Sequence, residues 1–515
     1  MKIIITLAGN SKRFLDKNYS AAKFTLPVAG KSMLEQILGM FDSKDRFLLV
    51  TTHKIFHDNK LFFENICRLY SNITYTLIES HSEGPVKTVI QSEVIKWVGT
   101  DCFIISYCDF FLKWNYNEFK NQLLESDPDG CIVVFKGLQP ASLGNTYFAY
   151  IKEEGGYVTD IKEKESFTEN RINEFASAGI YYFKSIEVFL ESTYKSQMYF
   201  ETFSEKYVSL VYKGALDLRK RVSFFEAEKF ICLGTPTDYE EFLHWQEVFE
   251  KFNSKKNQQM LVSNKLIPMA GFGERFRRAG IQVPKALIPI REKPMFVHAI
   301  ESQPKANSTF LVVMTDYKRR IENAIANIES AVKIVELDHR TNGMGETVLK
   351  ALHLIGIDSD ILIMSCDYEH FIEVDKFKQA LESESVDAVV FYTNFNSMRM
   401  QSPNAFAYCQ TDEFGIVSRI VEKQCLSEKP WLDKLLVGTF WIRKISDLKH
   451  CLISSANQGY LVGGELYIAN SLNVLINEGA KIKAIEVDKW VSYGDPRELQ
   501  IYDWWEDIFL SESLL

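Results

Sequence analysis

The sequence has no apolar run approaching the roughly 18 residues that a bilayer-spanning helix needs. It opens directly in Lys2-Ile-Ile-Ile, a strand-like run without the charged leader and apolar core of a signal peptide. These two absences predict a cytoplasmic protein with no membrane partner. Paired cysteines are lacking too. The nine (Cys67, Cys102, Cys108, Cys131, Cys232, Cys366, Cys409, Cys425 and Cys451) are odd in number, scattered, and contain no Cys-x-x-Cys. That excludes a disulfide framework or a zinc ribbon, and their apolar neighbours predict small core residues. Basic charge is short as well. The 59 Lys and Arg against 68 Asp and Glu leave a net charge of −9, without the basic face that a nucleic-acid partner requires.

What is present is an ordinary globular composition, 46% hydrophobic and 25% charged, over 515 residues, long enough for several domains. One stretch organises the chain. From Ile267 it reads Ile-Pro-Met-Ala270-Gly271-Phe272-Gly273-Glu-Arg275-Phe, and after a gap Val-Pro-Lys285-Ala-Leu-Ile-Pro-Ile. An apolar strand that breaks at glycines lets backbone N–H groups close around an anion, because no Cβ blocks the approach. Arg275 and Lys285 add two cations at a spacing suited to a triphosphate.

The same pattern stands at the start, with Ala8-Gly9-Asn10-Ser11-Lys-Arg13-Phe and then Lys23. A single offset without gaps puts Gly9 on Gly271, Arg13 on Arg275, Lys23 on Lys285 and Pro27 on Pro289. This predicts a tandem duplication, with domains at residues 1–252 and 264–515 and a short polar linker near Phe252–Ser263. Each half alternates short β-rich runs with helical patterns, which predicts an α/β fold built on a mostly parallel sheet flanked by helices. Strands are expected at Lys2–Leu7, Phe47–Thr51, Thr74–Ile78, Phe103–Ser106 and Cys131–Phe135. In the second half they are expected at Lys265–Met269, Phe310–Met314, Val332–Glu336, Ile361–Ser365 and Ala388–Tyr392.

Further pairs keep register. Gly84 aligns with Gly343, each opening a helix; alone such a glycine is more often a cap, but it also brings backbone close to a flat base. Asp109 aligns with Asp367, each just beyond a hydrophobic strand at the carboxyl edge of the sheet. A carboxylate there with phosphate oxygens suits Mg²⁺; singly, a turn-capping role is as frequent. Glu163-Lys164 aligns with Glu422-Lys423, a pairing that is usually a solvated surface pair but could hold an acceptor's phosphate and hydroxyls. Gly179 aligns with Gly438, where a missing side chain could admit a sugar face, and Glu205-Lys206-Tyr207 aligns with Glu465-Leu466-Tyr467.

With these residues assembled, each half resembles the sugar-phosphate nucleotidyltransferases, also called nucleoside-diphosphate-sugar pyrophosphorylases, and looks closest to the branch serving capsule and surface-polysaccharide synthesis. The resemblance implies two tandem Rossmann-like, GT-A-like domains that couple an NTP to a sugar-1-phosphate with release of pyrophosphate. It places the NTP phosphates on the loops Leu7–Arg13 and Met269–Arg275, the α-phosphate and pyrophosphate on Lys23 and Lys285, and the base beside Gly84 and Gly343. It gives Mg²⁺ to Asp109 and Asp367, and the sugar phosphate to Glu163, Lys164, Gly179, Glu422, Lys423 and Gly438. Many members carry a second metal-binding acid two residues before a Gly-Thr-Pro; here those positions are Cys232 and Ser492, with Asp495 as a nearby candidate. In the first half Asn10-Ser11 replaces Phe272-Gly273 and Ala22 replaces Pro284, which weakens that site.

Three other readings stay open. A cytidylyltransferase acting on an alcohol or polyol phosphate would use the same chemistry. A GT-A-type glycosyltransferase would want an Asp-x-Asp motif, which Asp109-Phe-Phe lacks and Asp367-Tyr-Glu369 only approximates. One domain, the first by motif integrity, could be a non-catalytic sensor or scaffold. A homo-oligomer is compatible with all of them.

Overall fold

The computed structural model describes the whole chain except residues 10, 144–145, 254–259, 272, 326–330, 356–358, 395–401 and 511–515. It divides into two compact units, Met1–Gln246 with Asp507–Leu515, and Glu247–Glu506. Half of the expected linker, 254–259, lies outside the described residues, and the strand Met260–Pro268 begins within the rest of it.

In the first unit the sheet order is Ile73–Ile78, Arg46–Thr52, Lys2–Thr6, Phe103–Ser106, Phe175–Phe183, Gly130–Phe135, Val222–Glu226, Tyr157–Glu163, Ala149–Glu154. The first four are mutually parallel, with Ile3 opposite both Phe47 and Ile104. Their run of branched residues is the composition of a strand covered on both faces. Ile3 and Ile5 enter one hydrophobic cluster and Ile4 the other, as a two-residue side-chain period requires. Beyond Phe103–Ser106 the sheet is mixed. Phe175–Phe183 runs antiparallel to both neighbours, and Ala149–Glu154 pairs antiparallel with Tyr157–Glu163. The reason is local: Gly155 and Gly156 have φ of 59° and 84°, which closes a tight hairpin where a parallel pair would need a long crossover.

The second unit repeats the first seven positions of this order and differs at the eighth. Val332–Leu337, Lys305–Met314, Met260–Pro268 and Ile361–Ile363 form the parallel part, followed by Lys434–Ile442, Ala388–Thr393, Ile482–Ser492 and Tyr368–Ile372. Ala407–Thr411 pairs with Val417–Glu422 and with Lys434–Ile442. All ten strands expected from sequence lie on strands of these two sheets. One core position is unusual. Lys265 is 2% exposed on the central strand; its Nζ donates to Ile300 O at 3.2 Å, and burial lowers its pKa to about 7.

In both units the loops that follow the parallel strands emerge at one edge, the usual place for a ligand in such sheets. The candidate residues are gathered there.

Candidate active site

In the second unit the strand Met260–Pro268 runs into Met269, whose carbonyl accepts from Tyr317 Oη at 2.5 Å, and then into buried Ala270. Gly271 has open space where a side chain would be. Phe272 lies outside the described residues. Gly273 has φ 59° and caps the helix Glu274–Arg278; a Cβ there would come 3.1 Å from Lys285 Cβ. Glycine is favoured twice over, by its left-handed backbone and by the lysine packed on it. A cavity of about 460 Å³ opens here, lined among others by Ala270, Gly271, Gly273, Lys285, Arg320, Arg340, Gly343 and Cys366.

Lys285 starts the short 3-10 turn Lys285–Leu287. Its ammonium is ion-paired with the Asp367 carboxylate. Burial works against charge on both groups, but each holds the other ionised: the lysine pKa is raised and the aspartate pKa lowered. Asp367 is anchored through its carbonyl, which accepts from Tyr493 N at 2.7 Å. Arg275 is more exposed, with Nη1 3.7 Å from Asp495 Oδ2, and is close enough for its charge to act on Lys285. Gly343, at φ 98°, precedes the helix Met344–Ile355, and Gly345 N donates to Leu466 O at 3.0 Å. The loop Glu465-Leu466-Tyr467 therefore packs directly on the glycine turn beside the cavity.

Glu422 ends the strand Val417–Glu422, and burial pushes its pKa up to about 7 against the pull of Lys423. Lys423 has φ 54°, a left-handed backbone in a non-glycine residue, and its Nζ lies 4.8 Å from the Tyr467 ring centre. Strain of this kind costs on the order of 1 kcal/mol or more and concentrates at functional sites. Gly438, at φ 83°, faces Tyr368, whose ring would lie 3.5 Å from an added Cβ.

The first unit has the same arrangement with different partners. Gly9 is open, Ala8 is buried, and Asn10 lies outside the described residues. Ser11 caps the helix Lys12–Leu15 with φ 47°, the conformation that Gly273 adopts without strain. Arg13 lies 5.9 Å from the Tyr147 ring centre. Lys23 Nζ donates to Asp109 Oδ2 at 2.8 Å. Gly84, at φ 91°, could not carry a side chain, because a Cβ would lie 2.8 Å from Lys206 N. Glu163, with a pKa raised to about 7 by burial, accepts from Ser209 Oγ at 2.5 Å. Lys164, at φ 56°, donates to Tyr207 Oη at 2.6 Å, and Gly179 faces Phe110 and Tyr107.

The fold thus brings Gly273, Lys285 and Gly343 to one cavity with Asp367 paired to Lys285, and in the first unit it pairs Lys23 with Asp109. Sequence reasoning missed two acids. A Cβ built on Gly494 would lie 3.1 Å from Asp367 Oδ2, 3.3 Å from Glu498 Oε2 and 3.4 Å from Ser492 Oγ. Around Gly234 the corresponding distances are 3.5 Å to Asp109 Oδ2, 3.9 Å to Asp238 Oδ2 and 3.4 Å to Cys232 Sγ. Glu498 borders the space beside Asp367. The available signal was the shared Pro-x-acid start of the two closing helices, Pro236-Thr-Asp238 and Pro496-Arg-Glu498. Two carboxylates and a hydroxyl are hard oxygen donors and fit Mg²⁺. Among the described residues no three His, Cys, Asp or Glu side chains cluster as a metal site, so phosphate oxygens would have to complete the coordination. No helix of the described residues is long and apolar enough to cross a membrane.

Residues 266–417 match the MobA-like NTP transferase domain, so the second half contains a segment with the sequence of a nucleotidyltransferase domain. Among curated proteins, the UTP–glucose-1-phosphate uridylyltransferase AglF of Haloferax volcanii is 21% identical over 234 residues, covering 44% of this chain and 91% of that protein. The bifunctional protein GlmU of Syntrophomonas wolfei is 25% identical over 223 residues, and the chain spans 46% of its length. A nucleoside-diphosphate-sugar pyrophosphorylase from Vibrio cholerae superposes at a TM-score of 0.38 with 20% identity, covering 47% of this chain and 99% of that one.

Proposed function

We propose that this protein is a sugar-phosphate nucleotidyltransferase that joins an NTP to a sugar-1-phosphate, giving an NDP-sugar and pyrophosphate, in capsule or surface-polysaccharide synthesis. We further infer that its halves, 1–252 and 264–515, descend from one duplicated domain and that the second is the active one. The observation that carries the reading is the convergence of Gly271, Gly273, Lys285 and Gly343 around one cavity, with Asp367 paired to Lys285, in a segment matching an NTP transferase domain.

The acceptor's phosphate oxygen attacks the α-phosphorus; a P–O bond forms there as the α–β bridge breaks and pyrophosphate leaves. The acceptor is already an anion, so no side-chain nucleophile is needed. The chain's task is to hold two repelling anions in line, which at 4 Å and an effective dielectric near 20 repel by about 4 kcal/mol per pair of unit charges. The loop N–H groups and Arg275 hold the outer phosphates, and Lys285 steadies the α-phosphate and the departing oxygen. Mg²⁺ held by Asp367 would neutralise charge on the polyphosphate. Gly343 leaves room for the base, Lys423 meets the acceptor phosphate, and Glu422 accepts from the acceptor's hydroxyls.

A pyrophosphate-release screen of NTPs against sugar and alcohol phosphates tests this reading. Turnover with an alcohol phosphate alone would select the cytidylyltransferase-type alternative. Absence of pyrophosphate with every pair would end the transferase reading.

A further inference from the structure

Both units lack an acid at the end of the strand that precedes the closing helix; Cys232 and Ser492 stand there. Both nevertheless place a carboxylate at that point in space, from the first turn of the helix. We propose that Glu498 supplies the second carboxylate to the divalent cation of the second unit, with Ser492 as the residue that positions it. The inference rests on the nucleotidyltransferase reading and assigns the half of the cation site that reading leaves open.

Three observations support it. Glu498 Oε2 and Asp367 Oδ2 flank the same position beside Gly494, at 3.3 and 3.1 Å from an added Cβ, so a larger residue there would wedge between them. Ser492 Oγ donates to Glu498 Oε2 at 2.7 Å, and Gly494 N donates to Ser492 Oγ at 3.3 Å, so the short strand residue orients the helix acid. The first unit shows what a capping role looks like by contrast. Asp238 Oδ2 takes the same kind of bond from its strand-end residue, Cys232 Sγ at 3.5 Å, but it also accepts from Thr235 N at 2.9 Å and from Thr235 Oγ1 at 2.7 Å, which commits it to the helix end. Glu498 has one more methylene, and among the described residues its hydrogen bond is to Ser492 instead.

The geometry also explains why the strand acid is dispensable. Ser492 Oγ and Glu498 Oε2 lie 2.7 Å apart, so a side-chain oxygen from position 492 and one from the helix's first turn reach neighbouring points. Oxygen donors supplied in this way suit a hard cation that keeps several ligands for phosphate and water.

Mn²⁺ binding to the full-length chain, followed by electron paramagnetic resonance of the free ion, tests the proposal in an Asp109→Asn background that isolates the second unit. Glu498→Gln is expected to weaken Mn²⁺ binding about tenfold or more, and Ser492→Ala severalfold, within the range known for groups that hold or orient metal ligands. Ser492→Asp added to Glu498→Gln is expected to restore affinity to within about threefold of the background, a rescue that a merely structural helix cap would not give. Unchanged affinity in Glu498→Gln with loss in Asp367→Asn would overturn the proposal and leave the transferase reading standing. Unchanged affinity in both would overturn the cation site altogether.

Discussion

The two units carry the same loops, yet they differ in the partners of Glu163 and Lys164 and of Glu422 and Lys423. In the first, Ser209 donates to Glu163 and Lys164 donates to Tyr207, so both candidate substrate groups have partners within the protein. In the second, Ala469 stands where the first has Ser209, and Tyr467 turns its hydroxyl to Glu465 rather than receiving Lys423. The phosphate side differs in the same direction. Ser11 holds a left-handed backbone that costs energy, and Gly273 holds it freely. Lys423 is held more loosely, 3.9 Å from Glu465 Oε2 and over the Tyr467 ring, so the same fold engages its polar groups less tightly in the second unit than in the first.

The largest effect expected from this contrast is on turnover. Lys285→Ala should lower pyrophosphate release by roughly 10²–10³-fold, as loss of one positioned charge does elsewhere. Lys23→Ala should change it by no more than about twofold, and an equal loss from both would erase the distinction between the units. A smaller effect should come from the acceptor side. Ala469→Ser gives Glu422 the hydroxyl that Glu163 already has, and one internal hydrogen bond is worth about 1 kcal/mol. The KM for the sugar phosphate should rise about fivefold with kcat little changed.

Next comes pH. Burial raises Glu163 and Glu422 to about 7 from the ordinary 4.5. A carboxyl that binds its proton more tightly when folded favours folding at low pH, and that contribution falls away as pH rises from about 4.5 to 7. Thermal midpoints across that window should flatten in Glu163→Gln and Glu422→Gln, each in its own unit. The smallest effect concerns Lys265, buried where the first unit has Ile3. Lys265→Ile should raise the second unit's melting temperature by a few degrees at neutral pH, because an amine with a depressed pKa disfavours its own burial.

Much of this was readable from residue order. Ile3-Ile4-Ile5 announces a strand covered on both faces, and the glycine break that follows it announces the turn at the sheet edge, because both signals are short-range. Phe175–Phe183 was not placed, since whether a strand runs parallel or antiparallel depends on the connection that delivers it. Glu498 was overlooked because Pro-Arg-Glu reads locally as an ordinary helix start. Its approach to Asp367 is a tertiary fact: the two residues are brought together by antiparallel pairing of Tyr368 with Ser492. Lys164 and Lys423 were chosen by alignment alone, and their left-handed backbones gave no signal in sequence.

The salt link between Lys285 and Asp367 means that each of these two charges is balanced by the other within the protein. A lone polyphosphate must pull the ammonium from its carboxylate, and a lone cation must pull the carboxylate from its ammonium. Arriving as a pair, each visitor takes over the partner that the other has released. Affinity for either should therefore climb when the other is present, and by reciprocity to the same degree. The enzyme would then discriminate against uncomplexed nucleotide before any bond is made.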